Sequence, residues 1–415
     1  MPFSDLQSAV LDPQLCTHCG GCAVACPKDL IEMDDLVPVA RVDTADLTCG
    51  ECTDCLQMCP GLSPGTHAVE ERMFGRARRD DERWLGIYDE LVACWALDDA
   101  VHSRSGAGGA VSALLAHAMH HLQLDWALVC GRRGDKPWRA APAICRNPTE
   151  VHQYSQSTYQ LTPHLIGLYD VLRQEEESRG AIVGLPCHFQ ALRGIQALAS
   201  PVGDRARKRV AFTIEIACSS NTLPSGTEAL LVDELGLELQ HVTRVFYRDA
   251  TCEGVAYPGV FSAETVDGTR HELPLWRAFR TFKRHKTHRC LSCPDWLSGL
   301  TDISVFDGDP NIFVASVNGT SDYAKHGTVL IRTPLGAAVL RSAQNAGVVG
   351  VRQTELPPGN LGLERKRSRR VLHERGARPI PEPPIPGYVE PGECVDDDEL
   401  LSVPADIRKR EGEAD

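Results

Sequence analysis

Two short runs of cysteine constrain this chain more than any other feature in it. Cys16, Cys19, Cys22 and Cys26 are followed by Pro27, and Cys49, Cys52, Cys55 and Cys59 by Pro60, so the pattern C-x2-C-x2-C-x3-C-P occurs twice. Each iron of a cubane cluster takes one thiolate, and the close spacing lets one loop supply three of them; the fourth must arrive from elsewhere. In proteins with two such runs the last cysteine of each crosses to the other cluster. This predicts one 4Fe-4S site at Cys16, Cys19, Cys22 and Cys59, and a second at Cys49, Cys52, Cys55 and Cys26. Gly20, Gly21 and Gly50 let backbone N–H groups turn toward sulfur, and the prolines redirect the chain after each crossing ligand. A pair of zinc sites would also consume eight cysteines. The triple runs and the proline behind each fourth thiol favour iron–sulfur.

The 415 residues leave room for two or three domains at roughly 150 residues each. A formal charge of −13 repels nucleic-acid phosphate and anionic lipid. No apolar run reaches the ~18 residues that a membrane helix needs, and the opening MPFSDLQSAVLDPQLC lacks the basic and apolar parts of a signal peptide. A cytoplasmic protein with no nucleic-acid partner and no membrane span is expected. In that compartment the seventeen cysteines read as ligands or core residues rather than as disulfides.

Residues 1–65 are expected to form an α+β ferredoxin-like domain, with the charged segment 70–81 as a linker. From residue 84 helical patterns alternate with short apolar runs, which argues an α/β sheet. Val111, Leu114, Leu115, Ala118 and Leu122 have helical spacing over 109–122 and feed a strand at 126–130. Strands at 181–186 and 210–218 bracket a helix at 187–198; further strands are predicted at 242–247, 302–306, 312–317 and 328–332, and a helix at 334–345. Segment 363–373 is basic, and the proline-rich, acidic stretch 376–415 reads as an extended or disordered tail.

Four further stretches stand out: 103–111 (SRSGAGGAV), 184–193 (GLPCHFQALR), 290–296 (CLSCPDW) and 302–309 (DISVFDGD). Together, over residues 84–375, they resemble the coenzyme F420 hydrogenase/dehydrogenase beta-subunit family, which also contains chlorophyll-cycle reductases. The resemblance implies an α/β flavoprotein domain that binds FAD and a third 4Fe-4S cluster. It also implies a small redox substrate such as coenzyme F420, and a redox partner such as ferredoxin or another oxidoreductase subunit. On that basis Cys187, Cys218, Cys290 and Cys293 are assigned to a flavin-proximal cluster. Ser105, Gly106, Gly108 and Gly109 stand before a helix, where N–H groups can approach a phosphate or a flavin edge; alone, such a turn is structural more often than not. Gly184 and Pro186 place Cys187 at a strand-to-helix turn, as a ligand or as a buried cysteine. The chain departs from the family at His188, where many members have glutamine, and at Ala217-Cys218-Ser219, where a glycine-flanked cysteine is usual. Cys94, Cys130, Cys145 and Cys252 read as core cysteines and Cys394 as inert in the tail.

Residues 277–289 gather Arg277, Arg280, Lys283, Arg284, Lys286 and Arg289, with His285 and His288 among them. This is either a solvated helix face or a cradle for the FAD pyrophosphate or the anionic tail of a deazaflavin, with Lys283 and Arg284 as candidate cofactor contacts. Three functions follow. In the first, a flavin stands between a hydride-donating deazaflavin, or ferredoxin, and one-electron clusters. In the second, ferredoxin feeds a reductase of a conjugated small molecule, with His188, His285 or Asp295 as proton source. In the third, the chain is a non-catalytic electron-transfer subunit of a larger complex.

Overall fold

The structure, a computed structural model, describes residues 2–41, 49–50, 52–62, 67–79, 82, 85–174 and 177–356. The segment 363–373, the stretch 376–415 and Cys394 lie outside the described residues. In the cysteine-rich region, β1 (Ile31–Asp34) and β2 (Val37–Ala40) pair as an antiparallel hairpin beside short helices at Pro2–Leu6, Gly21–Ala25 and Asp54–Gln57.

The larger region is a mixed α/β fold. Its main sheet holds β3 (Glu90–Ala96), β4 (Trp126–Arg132), β5 (Ala140–Cys145), β6 (Gly180–Gly184) and β7 (Val210–Ile216), together with β11 (Ile303–Asp307), β12 (Gly327–Ile331) and β13 (Val349–Gln353). Their spatial order is β13-β3-β12-β11-β7-β6-β4-β5, with β11, β7, β6 and β4 mutually parallel and antiparallel strands on both flanks. A central parallel strand is buried on both faces, and its side chains alternate between them. Trp126, Leu128 and Ile182 face one core, while Ala127, Val129, Ala181 and Val183 face the other. The second core is closed by helices Ala110–His121 and Pro334–Asn345 through Leu114, Leu115, Met119, Val339 and Leu340.

The first core is shared with the cysteine-rich region. Phe3, Leu6, Val10, Val24 and Met58 join Leu165, Leu168, Phe189, Leu192 and Ile195 in one buried cluster. Helix Pro186–Ala197 carries Gly194 at the contact, where a Cβ would lie 2.7 Å from Met58 Cα and 2.9 Å from its carbonyl oxygen. An interior helical glycine costs ~1 kcal/mol against alanine, and here the close backbone approach requires it. Arg173 adds polar ties: it pairs with Asp29 at 2.6 Å and donates to the Cys26 carbonyl at 2.8 Å. Residues 70–79 are correspondingly no loose linker. Glu70 is fully buried against Arg78 at 2.6 Å, and Arg78 also donates to the Ser298 carbonyl, so the charges pair inward.

Two further differences from the sequence expectation have local causes. The strand predicted at 242–247 exists as β8 (Val242–Asp249), but with β9 (Val260–Thr265) and β10 (Arg270–Pro274) it forms a separate antiparallel sheet. Leu230, Tyr247, Phe261, Leu273 and Phe282 make that sheet's own core. In place of the strand predicted at 312–317 there is a helix, Ile312–Asn318. Left-handed Gly319 ends this helix, and the Phe313 ring packs at a tilt against Phe279, 6.4 Å between ring centres.

A buried ionic network fixes the sheet's antiparallel side. Arg332, 1% exposed, donates to the carbonyls of Ile87 (2.6 Å) and Leu85 (2.7 Å) and to Ser304 Oγ (2.6 Å). Ser304 in turn donates to Glu215, which is fully buried and also accepts from the Ser298 N–H. Removing one partner of such a pair leaves an uncompensated buried charge. Arg332→Met should therefore lower the unfolding free energy by about 3–5 kcal/mol, read from chemical denaturation; a loss under about 1 kcal/mol would remove the network from the stability of the fold.

Candidate functional site

Strands β3, β4, β6, β7 and β11 run in one direction, and the crevice beyond their carboxyl ends is where open α/β sheets bind ligands. On that edge lie residues 105–109 after β3, Cys187 after β6, Cys218 after β7, Asp309 after β11, and Lys325 and His326 before the antiparallel β12. Cys187 stands in the first turn of helix Pro186–Ala197, whose opening residue is Pro186, with extended Leu185 as N-cap. The Cys218 N–H donates to the Trp296 carbonyl (2.9 Å) and that of Ala217 to Val305 (2.9 Å), which ties the 290–296 loop to β7 and β11. Helix His288–Ser292 presents Cys290, whose N–H is capped by Thr287 Oγ1 at 3.2 Å.

Each predicted thiol group is brought together in space. Burial pushes the Cys187 thiol well up, and Cys19, Cys218, Cys293 and Cys290 push it further. Burial likewise raises Cys16 to about 12 and Cys59 to about 11, with Cys19 adding to both. Cys22 is raised by burial and then by Cys19, Cys16, Cys59 and Cys55. In the other set, burial raises Cys55 to about 12, followed by Cys26, Cys52 and Cys49. Cys26 therefore stands among the second run and Cys59 among the first. Cys26, Cys49, Cys52 and Cys55 also line one apolar cavity with Phe3, Pro27, Leu30 and Ile31.

These donor sets fit iron–sulfur clusters. Thiols that raise one another's proton affinity in a buried pocket ionise only when a cation takes the proton's place. Among the described residues no three Cys, His, Asp or Glu side chains converge closely enough for a single metal ion. Cys19, Cys26, Cys55 and Cys59 share one buried cluster with Phe189, two residues from Cys187.

The other candidate residues divide. Gly108 and Gly109 have φ of +73° and +77°, and Gly109 is the left-handed N-cap of helix Ala110–His121. A Cβ on Gly108 would meet the Lys325 carbonyl at 2.6 Å, and one on Gly184 would lie 3.1 Å from His188 Nδ1, so internal packing already requires both glycines. Buried Ser105 donates to the Val101 carbonyl at 2.7 Å, while Gly106 stands 3.5 Å, measured from an added Cβ, from Arg248 Nη1. The basic stretch is not one face: Lys283 and Arg289 are buried, whereas Arg277 and Arg284 are more open to solvent. Arg284 lines a surface groove with Arg277, Arg280, Thr281 and Glu234, and Arg277 pairs with Glu234 at 2.8 Å. Of the proton-source candidates, His188 is held neutral by burial, stacks on His164 at 4.7 Å and accepts the Leu185 N–H on Nδ1. Cys94, Cys145 and Cys252 are buried core cysteines as expected, while Cys130 is only half-buried.

Two site residues escape the sequence reading, Arg248 and Lys325. Arg248, 2% exposed, pairs with Asp307 at 2.6 Å and lies over the Tyr257 ring; its Nε and Nη2 have no hydrogen-bond partner among the described residues. Lys325 donates to the Ser103 carbonyl at 2.7 Å, and burial and then Arg248 bring its pKa down to about 8.

Residues 91–168 match the amino-terminal family model of the coenzyme F420 hydrogenase/dehydrogenase beta subunit, and residues 178–356 match the carboxyl-terminal model of the same protein. The chain belongs to the coenzyme F420 hydrogenase/dehydrogenase beta-subunit family. Residues 15–61 match a 4Fe-4S dicluster domain. The coenzyme F420 hydrogenase subunit beta of Methanosarcina barkeri is 25% identical over 294 residues, covering 71% of this chain and 92% of the relative. The coenzyme F420-dependent sulfite reductase of Methanocaldococcus jannaschii is 25% identical over 195 residues, 45% of this chain and 26% of that protein. A structure of the F420-reducing NiFe hydrogenase complex from Methanosarcina barkeri contains a chain of like fold, with TM-score 0.54 and 22% identity over 70% of this chain and 94% of that one. No described helix is long and apolar enough to cross a membrane.

Three cubanes hold about twelve iron and twelve sulfide per chain, and anaerobically prepared protein is expected to contain them. Cys290→Ser should reduce both to about eight while sparing the two ferredoxin-type signals of the reduced spectrum. Full iron content in that variant would strike Cys290 from the ligand set, and bound zinc in place of iron would overturn the cluster reading.

Proposed function

We propose that this chain moves electrons between a two-electron donor, reduced coenzyme F420, and a one-electron protein partner, through FAD and three 4Fe-4S clusters. The observation that carries the reading is the contiguity of the thiol sets. Arg289, next to Cys290, donates to the Pro60 carbonyl at 3.0 Å, one residue beyond Cys59, and Cys19, Cys26, Cys55 and Cys59 share one buried cluster with Phe189, two residues from Cys187, so the sets lie side by side between the main sheet and the Cys26, Cys49, Cys52 and Cys55 cavity. The relatives named for F420 support deazaflavin as the donor. Residues 1–65 would act as the exit module and 84–375 as the flavin and cluster domain, with ferredoxin or another oxidoreductase subunit as the partner at the exit.

FAD, when bound, converts hydride transfer into single-electron steps. What the chain itself supplies is a built anion site. Arg248 is fixed by Asp307 on one nitrogen, keeps two donors for a ligand and stands beside Gly106, while the Lys325 backbone lies against Gly108 and its ammonium donates to the Ser103 carbonyl. These two cations fit a phosphate or a flavin carbonyl oxygen better than Lys283, which is buried within the small-sheet core region. Ser105, Gly106, Gly108, Gly109, Gly184 and Pro186 shape the surrounding backbone. Arg284, on the surface groove, is placed for the anionic tail of a deazaflavin instead.

The test is anaerobic oxidation of reduced coenzyme F420 with an artificial one-electron acceptor. Turnover is expected. Failure with F420, combined with reduction of the flavin by reduced ferredoxin, would move the chain to the ferredoxin-fed reductase reading. Hydrogen bonds to a charged group are worth ~1.5–3 kcal/mol, so Arg248→Met should weaken flavin retention about tenfold or more. Arg284→Ala should keep its flavin and raise the KM for reduced F420, most visibly at low salt; an unchanged KM would return that groove to plain solvated surface.

A further inference from the structure

Arg289 belongs to two of the thiol sets at once. Its backbone lies in helix His288–Ser292, immediately before Cys290. Its side chain, 4% exposed, reaches across to the cysteine-rich region and donates from Nη2 to the Pro60 carbonyl at 3.0 Å, one residue beyond Cys59. The set built on Cys26 has a different neighbour: Arg173 donates to the Cys26 carbonyl, but Asp29 at 2.6 Å offsets its charge.

We propose that Arg289 is a positioning residue that raises the reduction potential of the cluster held by Cys16, Cys19, Cys22 and Cys59, and so sets the middle step of the electron path. The inference rests on the cluster assignment above. Reduction adds one electron and one negative charge to a cluster, with no proton or bond change required. A permanently charged guanidinium in a buried site favours that added charge, because field is little screened there. Placed on the middle set, it makes this cluster an accessible stop between the flavin-proximal set and the exit set. Since the residue is the immediate chain neighbour of Cys290, its reach also ties the two sets to one another.

The experiment is a redox titration of the anaerobic full-length holoprotein, followed by electron paramagnetic resonance, for wild type, Arg289→Gln and Arg289→Lys. Removing the charge should weaken the reduction equilibrium of one ferredoxin-type cluster at least tenfold, a fall of ~59 mV for a one-electron couple. Lysine should keep most of the wild-type value, and the other two clusters should not move. Equal midpoints in wild type and Arg289→Gln would overturn the proposal, and so would an Arg289→Lys midpoint as low as that of Arg289→Gln, which would assign the effect to the hydrogen bond rather than the charge. If Arg289→Gln loses iron, Arg289→Met supplies a second neutral side chain for the same comparison; loss of iron in both neutral variants, with Arg289→Lys intact, would make Arg289 a requirement for assembly and overturn the tuning role. Absence of two ferredoxin-type signals in the wild type itself would instead defeat the cluster assignment, independently of Arg289.

Discussion

Thiols that share a buried pocket oppose one another's ionisation, and the arrangement of this chain turns on that repulsion. Burial already raises Cys16, Cys55 and Cys59 well above an ordinary thiol, and the neighbouring sulfurs add to it. Such pockets hold thiolates only around a cation, so their geometry is meaningful chiefly for the clusters of the matched dicluster domain. The same requirement explains why the pockets lie inside a common apolar core rather than on mobile loops. Leu165, Phe189 and Ile195 from the larger region close over Met58 and Val24 from the smaller one.

The main sheet provides the other half of the arrangement. Four parallel strands bring Cys187, Cys218 and Asp307 to one edge, while the antiparallel neighbours return Lys325 and His326 to it. Chemistry-bearing residues from distant parts of the chain thus converge without any local motif. The buried Glu215, Ser304 and Arg332 network joins β7 and β11 to the residues that precede β3.

How much of this is legible in the sequence varies with how local the signal is. The two cysteine runs are readable because their spacing encodes both ligation and crossing, and the structure brings Cys26 and Cys59 to the opposite sets. The scattered set at Cys187, Cys218, Cys290 and Cys293 can be grouped only through the family resemblance, since three separate elements supply it. Arg248 and Lys325 carry no pattern at all; one lies in a strand and the other in a loop, and only tertiary packing makes them neighbours. The hairpin of β9 and β10 has a turn signal in Asp267-Gly268 that the strand expectations leave unused. Over 277–289 charge is legible and direction is not, because a run of cations does not reveal which neighbours will cover Lys283 and Arg289.

The missing side chain at Gly194 has a kinetic meaning. Electron tunnelling falls off steeply with the gap between redox centres, and at Gly194 the helix that begins at Cys187's turn packs against the backbone of Met58, one residue from Cys59, with no room for a Cβ. A single methyl group there would act as a spacer wedged between two halves of a conductor. On the proposed electron path the driving force at each cluster would be untouched, yet the current would drop, so a hydrogen atom would guard the pace of transfer where other residues carry carbon.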